Sequence, residues 1–320
     1  MADSGTGTNP FVSVIVVTHD GADHLPACLD ALAALSYPAD RRETLLVDNA
    51  SPAGSLGFLR GQHPDVRVIP STTNLGFAGG CNLGLREARG DYAVLLNDDT
   101  RVDPHWLDAL VDAAEADPEA GICTSRIRLA DGRLQSTGAI PYVDGSSRDR
   151  GENETDSGQY ARIEEVFGGC GASMLLRRAM LEEIGLLEDR FFMYYEDTDL
   201  SWRARAAGWK VLYVPDSVVV HLHQATMGRG TRDHLFYSDR NRLLLVLRNA
   251  SLPRVLWVWG RYALGTIPGL SRAPVPTSVR LHALASALGS VPASLAARRR
   301  IRARRRVPER DLVHWFQPLP

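Results

Sequence analysis

The sequence predicts an α/β fold in which a mostly parallel sheet is covered by helices on both faces. Three observations lead there. Short runs of β-branched and aliphatic residues recur through residue 127, helical patterns alternate with them, and polar side chains gather where the runs end. At 320 residues the chain is long enough to bury a large core in one or two domains. Its 44% hydrophobic and 23% charged residues exclude a disordered or fibrous class.

Five runs read as strands: "VSVIVVT" (12–18), "TLLVDN" (44–49), "VRVIP" (66–70), "YAVLLN" (92–97) and "GICTSRI" (121–127). Continuous apolar runs of this kind suit strands buried on both faces. Between the third and fourth, Ala78, Cys81, Leu85 and Ala88 recur at helical spacing until Gly90 ends the turn. After the fourth, Asp103 is placed to cap a helix with Pro104 in its first turn, and Trp106, Leu107, Leu110, Val111 and Ala114 share its face.

In open α/β sheets, ligands bind at the carboxyl ends of the strands. Here Thr18, His19 and Asp20 close the first strand, Asp48 and Asn49 the second, and Asn97, Asp98 and Asp99 the fourth. Three separate strands thus deliver polar groups to one rim.

Beyond Arg126 the pattern changes. Residues 144–159, "DGSSRDRGENETDSGQ", carry no apolar side chain and are expected to form a mobile loop or lid. "FGGCGASMLLRRAMLEEIG" (167–185) returns to strand and then helix. "FFMYYEDTDLSWRARAAGW" (191–209) runs into a helix starting near Asp197 or Thr198 and stopped by Gly208, and a strand pair, "KVLYVP" and "SVVVHLH", follows.

The net charge of −2 conceals an asymmetry. From residue 250 onward, twelve arginines stand against Glu309 and Asp311, a net of +10 that leaves −12 for the rest. The run "RRRIRARRR" (298–306) suits an anionic membrane surface, and equally a solvated terminal helix. Nucleic acid is not an expected partner, because no aromatic residue interleaves the run. The candidate apolar stretches are interrupted by Arg248, Arg254, Arg261 and Arg280, so no membrane-spanning helix is expected. The first ten residues lack the basic and apolar regions of a signal peptide, which points to the cytoplasm, at the inner face of the membrane if the basic run touches lipid. Cys28, Cys81, Cys123 and Cys170 are widely spaced, which suits buried free thiols rather than a zinc knuckle or disulfide framework.

The adjacent carboxylates of Asp98 and Asp99 repel each other and invite a cation. Oxygen ligands suit Mg²⁺ or Mn²⁺, which bind through one or two carboxylates and complete their shell with substrate phosphates. A helix-capping cluster is the competing reading. The glycine-rich "NLGFAGGCNLG" (74–84) opens a helix where backbone can approach a ligand, or where Gly79 and Gly80 pack helix on sheet. Asp48 stands where dinucleotide-binding folds carry the acid that accepts from ribose or base, but "THDGAD" replaces the G-x-G-x-x-G loop of nicotinamide enzymes. Glu196, Asp197 and Asp199 crowd a helix start whose dipole favours an anion, and a general base must be an anion. Asp199 is expected only to cap the helix in solvent.

"VSVIVVTHD", "LLVDNAS", "NLGFAGGCNLG", "LLNDDT", "YYEDTDLSWR" and "VVVHLHQAT" together resemble the ordered motif set of family 2 glycosyltransferases with the GT-A fold, particularly the bacterial rhamnosyltransferase-like branch. The resemblance covers residues 11–250. It implies a nucleotide-sugar-binding half (11–125) and an acceptor-binding, catalytic half (126–250), with a disordered segment at 1–10 and a helical, basic extension at 251–320. Asn97-Asp98-Asp99 stands at the family's D-x-D-type motif. Asp99 is then the metal ligand and Asp98 a donor contact, while Asn97 departs from the motif's first Asp. Asp48 would bind the nucleoside, Thr18 and His19 would border the base, and Asn74, Gly76 and Asn82 would line the nucleotide pocket. Asp197 matches the general base, and His221 a histidine completing the metal or diphosphate site, with His223 as the fallback. Arg240, in "YSDRNRLLLVLRN" (237–249), reaches the diphosphate or the acceptor, or else forms a surface salt bridge.

The implied activity is an inverting, Mg²⁺- or Mn²⁺-dependent transfer of one sugar from a nucleotide diphosphate to an acceptor hydroxyl. The branch favours dTDP-rhamnose as donor, with UDP-hexoses behind it. The acceptor is a glycan, a lipid-linked glycan or a small natural product. The Q-x-x-R-W signature of processive members is missing, so one sugar per acceptor is expected. Two rivals remain: a sugar-nucleotide nucleotidyltransferase, for which "THDGAD" supplies no basic phosphate loop, and a catalytically silent nucleotide-sugar-binding subunit.

Overall fold

A computed structural model describes residues 9–222, 230–267 and 275–319. The disorder expected for residues 1–10 falls mostly on 1–8, and the fallback His223 on 223–229, so both lie outside the described residues.

The first half alternates as its pattern implies: β1 (Val12–Thr18), α1 (Leu25–Ala33), β2 (Arg42–Asn49), α2 (Leu59–Gln62), β3 (Val66–Ser71), α3 (Gly76–Glu87) and β4 (Tyr92–Asn97). β1 pairs in parallel with both β2 and β4, and β2 pairs in parallel with β3. The central residues of β1, β2 and β4 are buried on both faces, the physical source of their unbroken apolar runs, while β3 at the sheet edge is largely exposed. At α3 the packing reading holds for Gly80 but not for Gly79, where a Cβ would meet Leu75 at the helix's own start rather than the sheet. A Cβ on Gly80 would come within 2.6 Å of Val17, and one on Gly84 within 2.5 Å of Ile15, so the bare backbone lets α3 close on the sheet.

β5 (Thr100–Val102) is too short to leave a periodic signal in the sequence. α4 (Trp106–Ala116) begins two residues past Pro104, because Asp103 Oδ1 accepts from His105 N at 3.0 Å and His105 takes the cap position. There follow β6 (Ala120–Leu129), β7 (Leu134–Ser136), β8 (Ala139–Pro141), β9 (Ser147–Asp149), β10 (Glu164–Glu165), β11 (Ser173–Arg177), α5 (Arg178–Ile184), α6 (Glu196–Ala206) and β12 (Lys210–His221). The expected strand pair is therefore one strand. Its register against β6 slips between Val214 and Val218, a bulge that accommodates Pro215, which has no N–H to give the ladder. Across the sheet the order is β10-β12-β6-β11-β4-β1-β2-β3, with β5 on β12 and β7 on β6. β11 runs antiparallel to its neighbours β4 and β6, so the sheet is mixed but mostly parallel.

Residues 144–159 are tied down rather than loose. β9 pairs with β8, Asp144 Oδ2 takes Arg242 at 2.6 Å, Arg150 meets Glu164 at 2.5 Å, and Asp156 meets Arg128 at 2.5 Å. Ion pairs with partners distant in sequence replace the apolar anchor that the segment lacks.

The chain ends in α7 (Arg232–Asn249), α8 (Leu252–Leu264), α9 (Thr277–Gly289), α10 (Val291–Arg304) and α11 (Glu309–Leu312). This extension shares a core with the second half: the Phe316 ring centroid lies 5.4 Å from that of Phe167 and 4.9 Å from that of Trp202. The arginine run is partly built into it. Arg298 is buried and donates to Leu247 O at 2.6 Å, and Arg305 donates to Asn249 O at 2.6 Å. Among the described residues, no helix is long and apolar enough to cross a membrane.

Candidate active site

The carboxyl ends of β1, β2 and β4 open on a cleft of about 760 Å³, lined on its far side by β9, the 169–172 backbone and the start of α6. His19, Asn74, Gly76, Asp98, Asp99, Asp197 and His221 all line it, so residues up to two hundred positions apart in the chain meet in one space.

On the β1–β2 side, His19 Nδ1 lies 3.0 Å from Asn49 O. Asn49 organises the entry to α3: its Nδ2 donates to Asn74 Oδ1 and Gly76 O, each at 3.1 Å, and its Oδ1 accepts from Leu75 N at 2.8 Å. Gly76 has φ +69°, and a Cβ there would stand 2.3 Å from Phe192 O, so this position requires glycine on both counts. Thr18 is buried, and its Oγ1 has no hydrogen-bond partner among the described residues.

At the end of β4, Asp98 Oδ1 lies 3.3 Å from His24 Nε2, and this contact raises the imidazole's affinity for a proton. Asp99 faces the other way. Its Oδ1 lies 2.7 Å from His221 Nε2, while His221 Nδ1 lies 2.7 Å from Gln135 Oε1. β5 makes this pairing: it lies antiparallel to β12 with His221 opposite Thr100, and Leu222 N donates to Asp99 O at 2.9 Å. Burial works to raise the Asp99 pKa, but His221 outweighs it and holds the carboxyl below its usual range. With Nδ1 held by Gln135, His221 presents Nε2 beside the Asp99 carboxylate, an arrangement suited to a cation shared between the two. Carboxylate oxygen and imidazole nitrogen fit a Mn²⁺ or Mg²⁺ donor set. Among the described residues no three His, Cys, Asp or Glu side chains converge as a ligand group, so an ion here needs oxygens from water or a bound phosphate.

Opposite stands α6. Asp197 Oδ2 accepts from Gly171 N at 2.9 Å and Oδ1 from Thr198 N at 2.6 Å, which aims the carboxyl while it stays half open to the cleft. Burial pushes its pKa up, making it a stronger base than a solvated carboxylate; the helix start does not dominate as the sequence reading supposed. The backbone leading in is strained: Phe192, Tyr194 and Tyr195 have φ of +64°, +69° and +71°. Asn241, fully buried on α7, holds that turn by donating to Phe191 O, Met193 O and Tyr194 O at 2.8–2.9 Å.

Glu196 is 5% exposed, its Oε2 has no partner among the described residues, and burial followed by the charge of Asp197 pushes its pKa up to about 8. A folded-state pKa above the unfolded one means a stability contribution that is full below the unfolded value of 4.5 and lost as pH rises through about 8. Glu196→Gln should remove that loss. Its melting temperature relative to wild type is expected to rise from the unfolded value of 4.5 to about pH 8 and to level off above it, and a constant difference in thermal melts would contradict the assignment.

Four expected site residues lie off the cleft lining, Thr18 at the end of β1 among them. Asp48 Oδ1 accepts from Ser51 N at 2.9 Å, shaping the turn after β2. Asn82 is buried and bonds both Leu187 O (2.8 Å) and Leu187 N (3.0 Å), joining α3 to the segment before α6. Arg240 donates to Phe191 O at 3.0 Å and lies 4.9 Å from the Tyr237 ring centroid, supporting the same strained turn as Asn241. Asp199, expected in solvent, is fully buried between Arg203 and Arg248.

Other cleft residues escaped the sequence reading. Gln135 comes from three-residue β7, and Arg148, the one Arg or Lys among the described lining residues, comes from the segment expected to be loose. Beside the cleft, Gly21 sits so close that a Cβ would meet Asp98 Oδ2 and Thr18 Oγ1, each at 2.4 Å.

Comparison with known proteins agrees with this geometry. The family described as "Glycosyl transferase family 2" matches residues 13–185. The N-acetylglucosaminyl-diphospho-decaprenol L-rhamnosyltransferase of Mycobacterium tuberculosis is 32% identical over 247 residues, 69% of this chain and 79% of that protein. Two solved structures share the fold. The mannosyltransferase PcManGT of Pyrobaculum calidifontis, in complex with GDP-Man and Mn²⁺, has TM-score 0.56 at 21% identity, covering 91% of this chain and 76% of that one. S. aureus TarS 1-349 in complex with UDP has TM-score 0.58 at 16% identity, covering 95% and 89%. The GT-A arrangement expected from the motifs is the one found. With more than half of its length matched by the family description, the chain belongs to glycosyl transferase family 2 and is a glycosyltransferase.

Proposed function

We propose that the cleft transfers one sugar, with inversion, from a nucleoside diphosphate donor to the hydroxyl of a lipid-linked glycan. One observation carries the reading: the Asp99–His221 pair and the Asp197 carboxyl line the same cleft. An inverting displacement needs a base for the attacking hydroxyl and a separate site that takes the departing diphosphate, and the cleft holds a candidate for each.

The charge of the cleft bears on the donor. Asp98, Asp99, Asp149, Glu152 and Asp197 face one arginine, so a diphosphate entering alone meets repulsion. A Mg²⁺ or Mn²⁺ held by Asp99 and His221 would offset it and stabilise charge on the leaving diphosphate. In this reading His19 borders the nucleoside from the cleft wall, with Thr18 and Asp48 at the strand ends next to it, Asn74 and Gly76 shape the wall beside it, and Asn82 and Arg240 support it from behind. Asp98, with His24, lies toward the diphosphate. Asp197 accepts the proton from the acceptor hydroxyl as that oxygen attacks, and Gly171 N–H and Thr198 N–H hold it in position.

Likeness to the mycobacterial relative, named for L-rhamnose transfer to a diphospho-decaprenol acceptor, supports dTDP-rhamnose as donor and a lipid-linked acceptor. Four free cysteines suit a reducing cytoplasm, where nucleotide sugars are available. The reading is tested by measuring nucleoside diphosphate release across a donor panel with and without Mn²⁺. Release above background from dTDP-rhamnose, or from a UDP-hexose, is expected only with the metal. Binding of every donor without release would favour a silent subunit, and pyrophosphate release a nucleotidyltransferase.

A further inference from the structure

We propose that the outward face of α8 docks on an anionic lipid surface. α8 has two sides. At 3.6 residues per turn, Val255, Val258 and Tyr262 share one side and are buried. Leu252, Leu256, Trp257 and Leu264 share the other and are 55%, 73%, 43% and 59% exposed, with Ile267 just past the helix end at 49%. So large an apolar stripe on one helix face marks a contact surface. The neighbouring α9, reached by a hydrogen bond from Tyr262 Oη to Arg280 O, leaves Leu281 and Leu288 half exposed as well.

Charge selects the partner. From Ser251 to Pro308 the chain has eleven arginines and no acidic residue, in a protein otherwise rich in acids. Arg261 borders the stripe, 5.5 Å from the Trp257 ring centroid. An apolar stripe with an interfacial tryptophan and an arginine edge matches a helix lying in the headgroup layer of an anionic bilayer. The surface differs from the arginine run at 298–306, whose Arg298 and Arg305 are occupied by backbone carbonyls of the fold.

The position suits a membrane-bound acceptor. α8 runs back along α7, with Trp259 Nε1 donating to Leu243 O at 3.1 Å and Tyr262 Oη to Asp239 Oδ2 at 2.8 Å. Asp239 adjoins Ser238, a cleft-lining residue, so the C-terminal part of α8 packs on the same helix that lines the cleft. This last consequence rests on the transfer reading; lipid binding itself does not.

Flotation of the full chain with phosphatidylcholine vesicles, with and without phosphatidylglycerol, tests the surface without any substrate. Wild type is expected to float with the anionic vesicles and to lose binding in high salt. Leu256→Glu combined with Trp257→Glu should weaken that binding about tenfold or more, while donor cleavage and the melting curve stay as in wild type. Equal flotation of both forms, or none by wild type, would overturn the proposal. So would a dimer in sedimentation velocity that the double variant dissociates, since a second copy of the chain would then be the partner. If vesicles bind but no donor is cleaved, the transfer reading fails and the surface stands.

Discussion

Asp197→Asn is expected to lower the transfer rate by about 10²–10⁴-fold, the usual worth of a positioned general base, while donor affinity stays near wild type. The isosteric amide keeps one acceptor oxygen for Gly171 N or Thr198 N but cannot take a proton from the incoming hydroxyl. It faces one of those donors with an N–H of its own, a structural cost of about 1 kcal/mol, so the fold should survive. Donor binding by calorimetry beside single-turnover transfer separates the two effects. The pH profile adds a second signature. Burial raises the Asp197 pKa, so wild-type activity is lost as pH falls through a value above the ordinary carboxylate range, and the variant's residual activity should lack that limb. A variant with wild-type turnover would remove Asp197 from the chemistry.

The second large effect is on stability. Asp199→Asn should destabilise the protein by about 3–5 kcal/mol, as expected when one partner of a buried ion pair is removed. Asp199 is 0% exposed and receives Arg203 Nε at 2.8 Å, Arg248 Nε at 2.9 Å and Asn249 Nδ2 at 2.8 Å. Burial alone would raise its pKa, but Arg248 and Arg203 reverse this and drive it far below the carboxylate range. A depressed folded-state pKa stabilises above the unfolded value of 3.8 and loses that contribution as pH falls. Asparagine leaves two buried guanidiniums, 4% and 5% exposed, sharing a site with only Glu188 to pair with one of them. Thermal melts near neutral pH should fall by roughly 5–12 °C, and a shift within 2 °C or so would refute the hub. The hub also serves the site: Arg203 further bonds Ile184 O and Leu186 O, so α6, whose first turn carries Asp197, is fixed to α7 and to the end of α5.

Local pattern and long-range pairing divide what the sequence disclosed. β1, β2 and β4 were legible because parallel strands buried on both faces leave unbroken apolar runs, α3 by its helical spacing, and the strand-end rule then gathered His19, Asp98 and Asp99 at one rim. The six motifs carried the family. What escaped depends on partners far apart in the chain. β5 is visible only through its pairing with β12, which sets His221 against Asp99 across 122 positions. The 144–159 segment reads as loose because its anchors, Arg128, Glu164 and Arg242, lie outside it. Asp199 reads as a solvated cap because nothing local announces Arg248, 49 residues on. Arg240 and Asn82 were expected at the ligand and instead hold the backbone that shapes it.

The account turns on a divalent ion between Asp99, His221 and the donor diphosphate. Calorimetric titration of Mn²⁺ into the protein with and without a bound nucleoside diphosphate tests this most directly. The prediction is one ion bound tightly only when the nucleotide is present, with affinity falling at least about tenfold in Asp99→Asn, as losing a charged ligand implies. Nucleotide binding indifferent to Mn²⁺, or the same Mn²⁺ affinity in wild type and Asp99→Asn, would contradict it.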